Sequence, residues 1–284
     1  MAWFGGTEEG ADDVAIWCAR KTDTGWSHPV LLAKDSDEPH WNPVLYQKET
    51  GELIVFYKVG KPIAKWRTHY RVSEDCGLTW SAPKELVPGD QGGRGPVRNK
   101  MLQLSDGSWL AGASTEEGKW IAYADRSEDE GRTWSLSNPL TLEGSGPKGF
   151  IQPSLWESAP GKVHMLLRST EGFIYRSDSD DYGKTWCEAY STGLPNNNSG
   201  LDVVQCQDGA LVLCSNPVGQ NWGARTPLTL QISHDQGETW SPYSVLEDTP
   251  GEYSYPAIVE KDGVLHVTYT YNRKTIAYVT INRR

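Results

Sequence analysis

Several side chains that can bind an anion or move a proton lie beside short apolar runs of this sequence. Arg168 follows an apolar run that starts at Met165, and Arg225 lies in a polar segment before another strand-like run. Planar guanidinium groups hold carboxylates through paired, charge-assisted hydrogen bonds. Tyr253 and Tyr255 flank a serine, and a phenol becomes a nucleophile near neutral pH only when a neighbouring group activates it. These residue types indicate a site for a small carboxylated ligand.

The charge of the whole chain makes such a basic site informative. The 284 residues carry 27 Lys and Arg against 37 Asp and Glu, a formal net charge of −10. A negative field disfavours polyanions, so we expect an acidic oligosaccharide or glycoconjugate as the partner rather than nucleic acid. No apolar run reaches the roughly 18 residues of a membrane span, and we expect no membrane partner. Five Cys, an odd number, argue against a disulfide scaffold.

We expect neither a metal ion nor an organic cofactor. The sequence contains no H-E-x-x-H, no C-x-x-C and no EF-hand-like pattern, and no glycine-rich loop leads from a strand into a helix. The acidic residues Glu8, Glu9, Asp12 and Asp13 are interpreted as a solvated loop rather than a calcium site. No secretory leader is visible in the first residues. The sequence leaves the compartment and the oligomeric state open.

One repeated pattern identifies the elements that must position these side chains. The pattern S-x-D-x-G-x-T-W ends at Trp80, Trp134, Trp186 and Trp240, and a shortened copy ends at Trp26. Successive Trp residues are 54, 54, 52 and 54 positions apart. Ser and Asp side chains can bond their own backbone and Gly supplies a positive φ, so each copy predicts a tight turn before a strand.

The segments between these turns predict the fold. They read as short strands with hairpin turns and without helical periodicity, and four strands per repeat are typical of a propeller blade. We therefore predict an all-β, six-bladed β-propeller that forms one domain over residues 1–284. Residues 3–33 supply only the last three strands of blade 1, and residues 253–282 only the first three of blade 6. We expect the chain to be shortened at its N terminus or the ring to be incompletely closed.

The repeat resembles the Asp-box, or BNR repeat, of the sialidase superfamily, and the resemblance covers essentially the whole chain. In such a propeller the box turns lie at one end, here called the box end. The residues that lead into the innermost strands, and those between second and third strands, lie at the opposite end, here called the site end. The candidate site residues expected there are His40, Trp41, Asn42, Arg94, Arg98, Lys100, Gln152, Arg168, Asn198, Asp202, Arg225, Glu252, Tyr253 and Tyr255.

The resemblance also implies individual roles. Arg168 and Arg225 match two of the three arginines that hold the substrate carboxylate in sialidases, and Tyr253, in a Tyr-Ser pair, matches the nucleophile. Two positions depart from the family pattern, because Asn42 stands where the acid/base Asp is expected and Gln152 where the Glu that activates the tyrosine is expected. An amide cannot transfer the catalytic proton, so the usual retaining mechanism is in doubt.

Three functions are compatible with this pattern. The first is an exo-acting glycosidase on a carboxylated sugar, with Tyr253 as the nucleophile and the acid drawn from His40, Glu252, Asp12 or Asp13. The second is a lyase that eliminates at a uronic acid, with His40 and Tyr253 transferring protons. The third is a glycan-binding propeller without catalysis. Trp41, Trp120 and Trp222 are the candidates for stacking on sugar rings.

Overall fold

The chain is built from β-strands that follow one another as antiparallel sheets. The computed structural model describes residues 1–116, 118–144 and 148–283. These residues form strands β1 to β24 and one short 3-10 helix, Ile63–Lys65. No helix among them is long and apolar enough to cross a membrane.

Six sheets, one per blade, are arranged in chain order, and each four-stranded blade pairs its strands sequentially. Blade 1 contains β1 Ala2–Gly5, β2 Ala15–Cys18 and β5 Val30–Ala33, with a small hairpin of β3 Lys21–Thr22 and β4 Gly25–Trp26. Blade 2 contains β6 His40–Gln47, β7 Leu53–Val59, β8 Arg67–Ser73 and β9 Lys84–Glu85. Blade 3 contains β10 Leu102–Gln103, β11 Trp109–Thr115, β12 Ile121–Ser127 and β13 Ser135–Leu136.

The second half of the chain continues in the same way. Blade 4 contains β14 Phe150–Ala159, β15 Lys162–Ser169, β16 Phe173–Ser179 and β17 Tyr190–Pro195. Blade 5 contains β18 Asp202–Gln205, β19 Leu211–Ser215, β20 Leu228–Ser233 and β21 Ser241–Glu247. Blade 6 contains β22 Tyr253–Lys261, β23 Val264–Tyr271 and β24 Thr275–Asn282. The predicted six-bladed fold is confirmed, with three strands in the main sheets of blades 1 and 6.

The four complete box turns have the hydrogen bonds that their sequence predicts. In blade 4 the Ser179 hydroxyl donates to Asp181 over 2.8 Å and accepts the Gly183 N–H over 2.9 Å. The Asp181 carboxylate also accepts the Thr185 N–H and hydroxyl over 2.9 and 2.6 Å. Trp186 then covers the turn and donates its indole N–H to the Gly183 carbonyl. Because all these bonds are local, the pattern S-x-D-x-G-x-T-W fixes the turn wherever it occurs.

Apolar side chains between neighbouring blades form the core. Five buried clusters join blades 1 and 2, 2 and 3, 3 and 4, 4 and 5, and 5 and 6. Blades 6 and 1 meet through a different kind of contact: Tyr278 packs edge-on against Trp26 at 5.1 Å, and Lys21 lies 5.0 Å from the same Tyr278 ring. In the described residues, the seam between these two blades is therefore aromatic and charged rather than aliphatic.

Candidate active site

Five residues at equivalent positions in blades 2 to 6 share a rare backbone conformation. Each lies at, or just before, the start of the innermost strand at the site end, and each has a positive φ. Their φ angles lie between 44° and 71°, a region that costs energy for any residue except glycine and that is concentrated at functional sites. These residues, here called the inner ring, are Asn42, Arg98, Gln152, Asn198 and Tyr255.

The strand pairing explains why these side chains leave the sheet. The ladder is interrupted between Trp41 and Val44 in blade 2, and at the matching places in blades 4 and 6. Such a bulge leaves the extra residue unpaired and re-aims its side chain. In these three blades the bulged residue precedes a proline, which has no N–H to donate to the ladder.

Arg168 is held in place by two amide side chains and two tryptophan rings. It is the penultimate residue of β15, and only 4% of its surface is exposed. Its Nε donates to Asn198 Oδ1 over 2.7 Å, and Nη1 lies 3.3 Å from Gln152 Oε1. Its guanidinium carbon lies 5.5 Å from the Trp120 ring and 5.7 Å from the Trp222 ring. Two inner-ring amides therefore orient Arg168 without neutralising its charge.

Arg225 approaches the site from the connection between β19 and β20 and contacts Tyr255. Its guanidinium carbon lies 4.9 Å from the Tyr255 ring, and Nη2 lies 3.5 Å from the Tyr255 hydroxyl. Its Nη1 donates to Glu252 Oε1 over 3.0 Å. Arg225 thus links the rim carboxylate Glu252 to the inner-ring tyrosine.

Arg98 supports Tyr255 from the other side. Its guanidinium carbon lies 5.6 Å from the Tyr255 ring, and it donates to the carbonyls of Leu201, over 2.7 Å, and Pro256. Burial lowers the pKa of Arg98 to about 10. Gly200 makes this packing feasible, because a Cβ there would lie 2.7 Å from Arg98 Nε and 2.9 Å from Tyr255 Cδ1.

The arginines change the acidity of the groups around them. Burial alone would raise the pKa of Tyr255, but the charges of Arg168 and Arg225 outweigh it and lower the pKa below its ordinary value. Burial raises the pKa of the Glu116 carboxyl, which lies close enough to Arg168 and Glu9 to respond to both charges. A more acidic phenol and a less acidic carboxyl therefore share one basic pocket. Paired groups shifted in opposite directions are typical of acid/base sites.

The rim of the site links blade 6 to blade 1. Arg273 donates through Nε to Glu252 over 2.7 Å and through Nη1 to Glu9 over 2.6 Å. These two carboxylates raise the pKa of Arg273. Glu252 is consequently bound by two guanidinium groups, and we assign it a positioning role.

Two open cavities lie at the rim on either side of Trp222, whose surface is 62% exposed. A cavity of about 360 Å³ reaches the site through Arg225 and Glu252. A cavity of about 510 Å³ lies against Thr170 and Glu171. Trp222 packs edge-on against Trp120 at 6.1 Å and lines both cavities.

The structure places Tyr253 away from the inner ring. Its side chain is 1% exposed and packs against Tyr271, with ring centroids 5.1 Å apart, in the core between blades 5 and 6. Its hydroxyl lies 2.8 Å from Thr249 Oγ1. Tyr255, two positions later, is the tyrosine beside the arginines. The nucleophile assignment based on the Tyr-Ser pair is therefore corrected to Tyr255 in our proposal below.

His40 and Trp41 are also buried between blades and do not belong to the inner ring. His40 is fully buried; Nε2 accepts the Asp35 N–H over 2.8 Å, and Nδ1 lies 2.9 Å from the Glu38 carbonyl. Both ring nitrogens are occupied by backbone groups, so His40 has no nitrogen free for proton transfer. Trp41 is 6% exposed and packs against Trp66 at 5.0 Å, which leaves no face for a sugar.

Three further predicted site residues form ion pairs between blades. Arg94 donates to both oxygens of Asp125 over 2.9 and 3.0 Å and lies apart from the inner ring. Lys100 donates to both oxygens of Asp202 over 2.8 Å, and Asp202 also accepts the Ser154 hydroxyl and the Ile258 N–H. These pairs connect the innermost segments of blades 3 to 6 and hold the inner ring in place.

One group close to Arg168 carries no motif in the sequence. Glu116 follows β11 and had no assigned role, because its own neighbours in sequence carry no motif. Three of the five inner-ring residues directly precede a proline, as Asn42-Pro43, Gln152-Pro153 and Tyr255-Pro256. This repeated pair was the sequence signal that could have identified the inner ring. Because Tyr255 precedes a proline and Tyr253 does not, this signal would have favoured Tyr255 as the site tyrosine.

Comparisons with known proteins agree with the fold and the repeat. The family model of the BNR repeat-like domain matches residues 1–267. A sialidase of Bacteroides fragilis is 25% identical over 291 residues, covering 93% of this chain and 49% of that protein. A sialidase of Clostridium perfringens is 29% identical over 160 residues, covering 50% of this chain and 40% of that protein. The chain thus spans at most about half the length of these curated relatives.

Solved structures show the same architecture. The Hadza microbial sialidase Hz136 superimposes with a TM-score of 0.79 at 19% identity, covering 98% of this chain and 61% of that chain. The leech intramolecular trans-sialidase, in complex with 2,7-anhydro-Neu5Ac, gives a TM-score of 0.75 at 15% identity, covering 99% and 65%. A protein of unknown function from Dyadobacter fermentans gives 0.80 at 18% identity, covering 99% and 87%. At these identities the likeness extends to the fold alone.

Proposed function

Since the chain belongs to the BNR repeat-like domain family and is a sialidase-like, carbohydrate-active protein, we propose that it is an exo-acting glycosidase on a carboxylated sugar. The observation that carries the proposal is the cluster of Arg98, Arg168 and Arg225 around Tyr255 on a chain of net charge −10. A compact basic pocket on an acidic protein favours a small anion over a polyanion. A sialic or uronic acid supplies that anion.

In this proposal Arg168 and Arg225 bind the sugar carboxylate. Arg168 keeps part of its guanidinium free after bonding Asn198 and Gln152, and Arg225 is anchored by Glu252. Charge-assisted bonds from fixed donors favour a planar carboxylate over a hydroxyl. The inner-ring amide Asn42, which is only partly buried, then contacts the sugar hydroxyl groups, while Asn198 orients Arg168.

We assign the reacting groups to Tyr255 and Glu116. The Tyr255 oxygen, after losing its proton to solvent, attacks the anomeric carbon as a phenolate, and the Glu116 carboxylic acid gives its proton to the departing glycosidic oxygen. In the second step the Glu116 carboxylate takes a proton from water, which displaces Tyr255. The lowered pKa of Tyr255 and the raised pKa of Glu116 support these roles.

The other acid candidates are engaged elsewhere. Glu252 is bound by Arg225 and Arg273, and His40 bonds backbone groups through both nitrogens. Asp12 pairs with Lys61 over 2.7 Å, and Asp13 accepts the Thr7 N–H over 2.9 Å. Glu116 is therefore the carboxyl whose buried environment favours the protonated form and so suits a proton donor.

A second candidate function, elimination at a uronic acid, is favoured by the amides. Asn42 and Gln152 take the places expected for two carboxylates, and Gln152 bonds Arg168. Amides and arginines together neutralise a uronate carboxylate, which acidifies the adjacent C–H. Tyr255 would then remove that proton and Glu116 would protonate the leaving oxygen.

The two reactions and simple binding are separated by their products. The protein is incubated with sialosides and uronate oligosaccharides, and the products are analysed for reducing sugar and for ultraviolet absorbance. Reducing sugar without absorbance supports hydrolysis, and an absorbing 4,5-unsaturated sugar supports elimination. Measurable binding with neither product contradicts both catalytic proposals.

Tyr253, two positions before Tyr255, provides a matched control for the site. We expect Tyr255→Phe to lower kcat by about 10²–10⁴-fold, the range for loss of a reacting proton carrier or nucleophile, with little change in ligand affinity. Tyr253→Phe removes only the hydroxyl contact with Thr249 and should keep turnover near that of the unmodified protein. The reverse pattern would restore Tyr253 as the nucleophile.

A further inference from the structure

A second group of side chains with complementary chemistry lies in blade 4, at the box end and so away from the inner ring. Ser158 Oγ lies 2.7 Å from His164 Nε2, and His164 Nδ1 lies 2.5 Å from Asp178 Oδ1. Hydrogen bonds thus connect the nucleophile Ser158 to the base His164, and His164 to the carboxylate of Asp178, which orients it. This order of contacts is the geometric signature of an activated serine.

The strands of blade 4 hold these three residues together. His164 on β15 pairs directly with Asp178 on β16 and with Trp156 on β14. The ladder is interrupted between Glu157 and Ala159, so Ser158 is the bulged residue next to the hairpin turn. The His164 ring also stacks on Trp156 at 4.9 Å, which fixes the imidazole plane. The arrangement is therefore preorganised by regular pairing and one bulge.

The surroundings of Asp178 determine which His164 nitrogen carries the proton. Burial would raise the pKa of Asp178, but hydrogen bonds from His164, Tyr190 and Arg176 hold it well below its usual range. The Tyr190 hydroxyl donates over 2.6 Å and Arg176 Nε over 2.8 Å. Arg176 Nη2 also lies 3.0 Å from His164 Nδ1, but Asp178 Oδ1 is the closer partner at 2.5 Å and can only accept, so we assign the N–H to Nδ1. The lone pair of Nε2 consequently faces Ser158 Oγ and accepts its proton.

We propose that Ser158, His164 and Asp178 form a second reactive centre that cleaves esters of small carboxylic acids. Ser158 Oγ attacks the ester carbonyl and its proton passes to His164 Nε2. That proton leaves with the alcohol as the acyl-serine forms. Water, deprotonated by His164, then releases the carboxylic acid and regenerates Ser158. Ala159 and Pro160 beside the serine are exposed, so a small ester can reach Ser158 from solvent.

The centre is tested with reagents that acylate or phosphonylate activated serines. The whole protein is treated with a fluorophosphonate probe and digested, and the labelled peptide is identified by mass spectrometry; p-nitrophenyl acetate hydrolysis is measured in parallel. We expect the label on Ser158. We expect at least a tenfold loss of ester hydrolysis in Ser158→Ala and in Asp178→Asn.

Ser105→Ala is the matched control, because Ser105 is an exposed serine nearby whose hydroxyl donates to Glu157 over 2.8 Å and not to an imidazole. This variant should keep both labelling and hydrolysis. The proposal is overturned if the label is absent or lies on another residue. It is equally overturned if folded Ser158→Ala, checked by circular dichroism, hydrolyses the ester as fast as the unmodified protein.

Discussion

Lys58 is a buried amine whose replacement should change how stability depends on pH. Its side chain is 1% exposed and donates to Thr68 Oγ1 over 2.6 Å and to the Arg94 carbonyl. Burial lowers the pKa of Lys58 from 10.5 to about 7, although Asp90 and Asp125 act in the opposite direction. Lys58→Met keeps a similar volume, and Thr68 still donates to the Arg94 carbonyl.

The size of the effect follows from proton linkage. Between pH 7 and 10.5 the unfolded chain holds the Lys58 proton and the folded protein does not. The free energy of unfolding therefore rises with pH in this window, by about 1.4 kcal/mol for each pH unit. From pH 7.5 to 9.5 the unmodified protein should gain about 2.7 kcal/mol relative to Lys58→Met. Below pH 7 the buried ammonium is a cost, and the variant should be the more stable protein.

Guanidinium unfolding followed by tryptophan fluorescence measures this difference at several pH values. Lys61→Met is the control, because the Lys61 side chain is 51% exposed and pairs with Asp12 at the surface. Its stability difference from the unmodified protein should not change with pH in the same window. A Lys58→Met difference that stays flat between pH 7.5 and 9.5 would refute the reasoning, since Lys58 would then keep its proton on folding.

Three further outcomes are expected. Arg168→Lys should weaken binding of a carboxylated sugar by about 1.5–3 kcal/mol in calorimetry, because the lysine cannot reproduce the guanidinium fork. Trp222→Ala should leave the melting temperature nearly unchanged but weaken binding of oligosaccharides more than of monosaccharides, because its exposed ring adjoins both rim cavities. Asp181→Ala should destabilise the fold by about 1–3 kcal/mol in denaturant, since three donors lose their acceptor.

The fold was predictable because its signal is local. Each box turn is closed by side chains within seven residues of one another, as in Ser179 to Trp186, so its geometry does not depend on the rest of the chain. The constant spacing then predicts equal blades, and equal blades predict a ring. The same counting identified the three-stranded sheets of blades 1 and 6.

The candidate site was only partly predictable. Arg168, Arg225, Gln152, Asn198 and Tyr255 were expected at the site end, and the structure brings them together. Arg94 was expected there for the same topological reason, but Asp125 in the neighbouring strand β12 binds its guanidinium. Whether a basic residue stays available to a ligand depends on its ion-pair partners, and these lie far away in the sequence. The repeat pattern carries no information about such distant partners.

The sequence by itself determined the repeat, the number of blades and the end at which the basic residues collect, because turn chemistry and strand periodicity are local properties. Tertiary structure alone decided which tyrosine faces the arginines. Tyr253 and Tyr255 would share one face of a regular strand, since side chains alternate with a period of two. The irregularity between Ser254 and Ala257, with a φ of 53° at Tyr255, turns that side chain into the inner ring and leaves Tyr253 in the core.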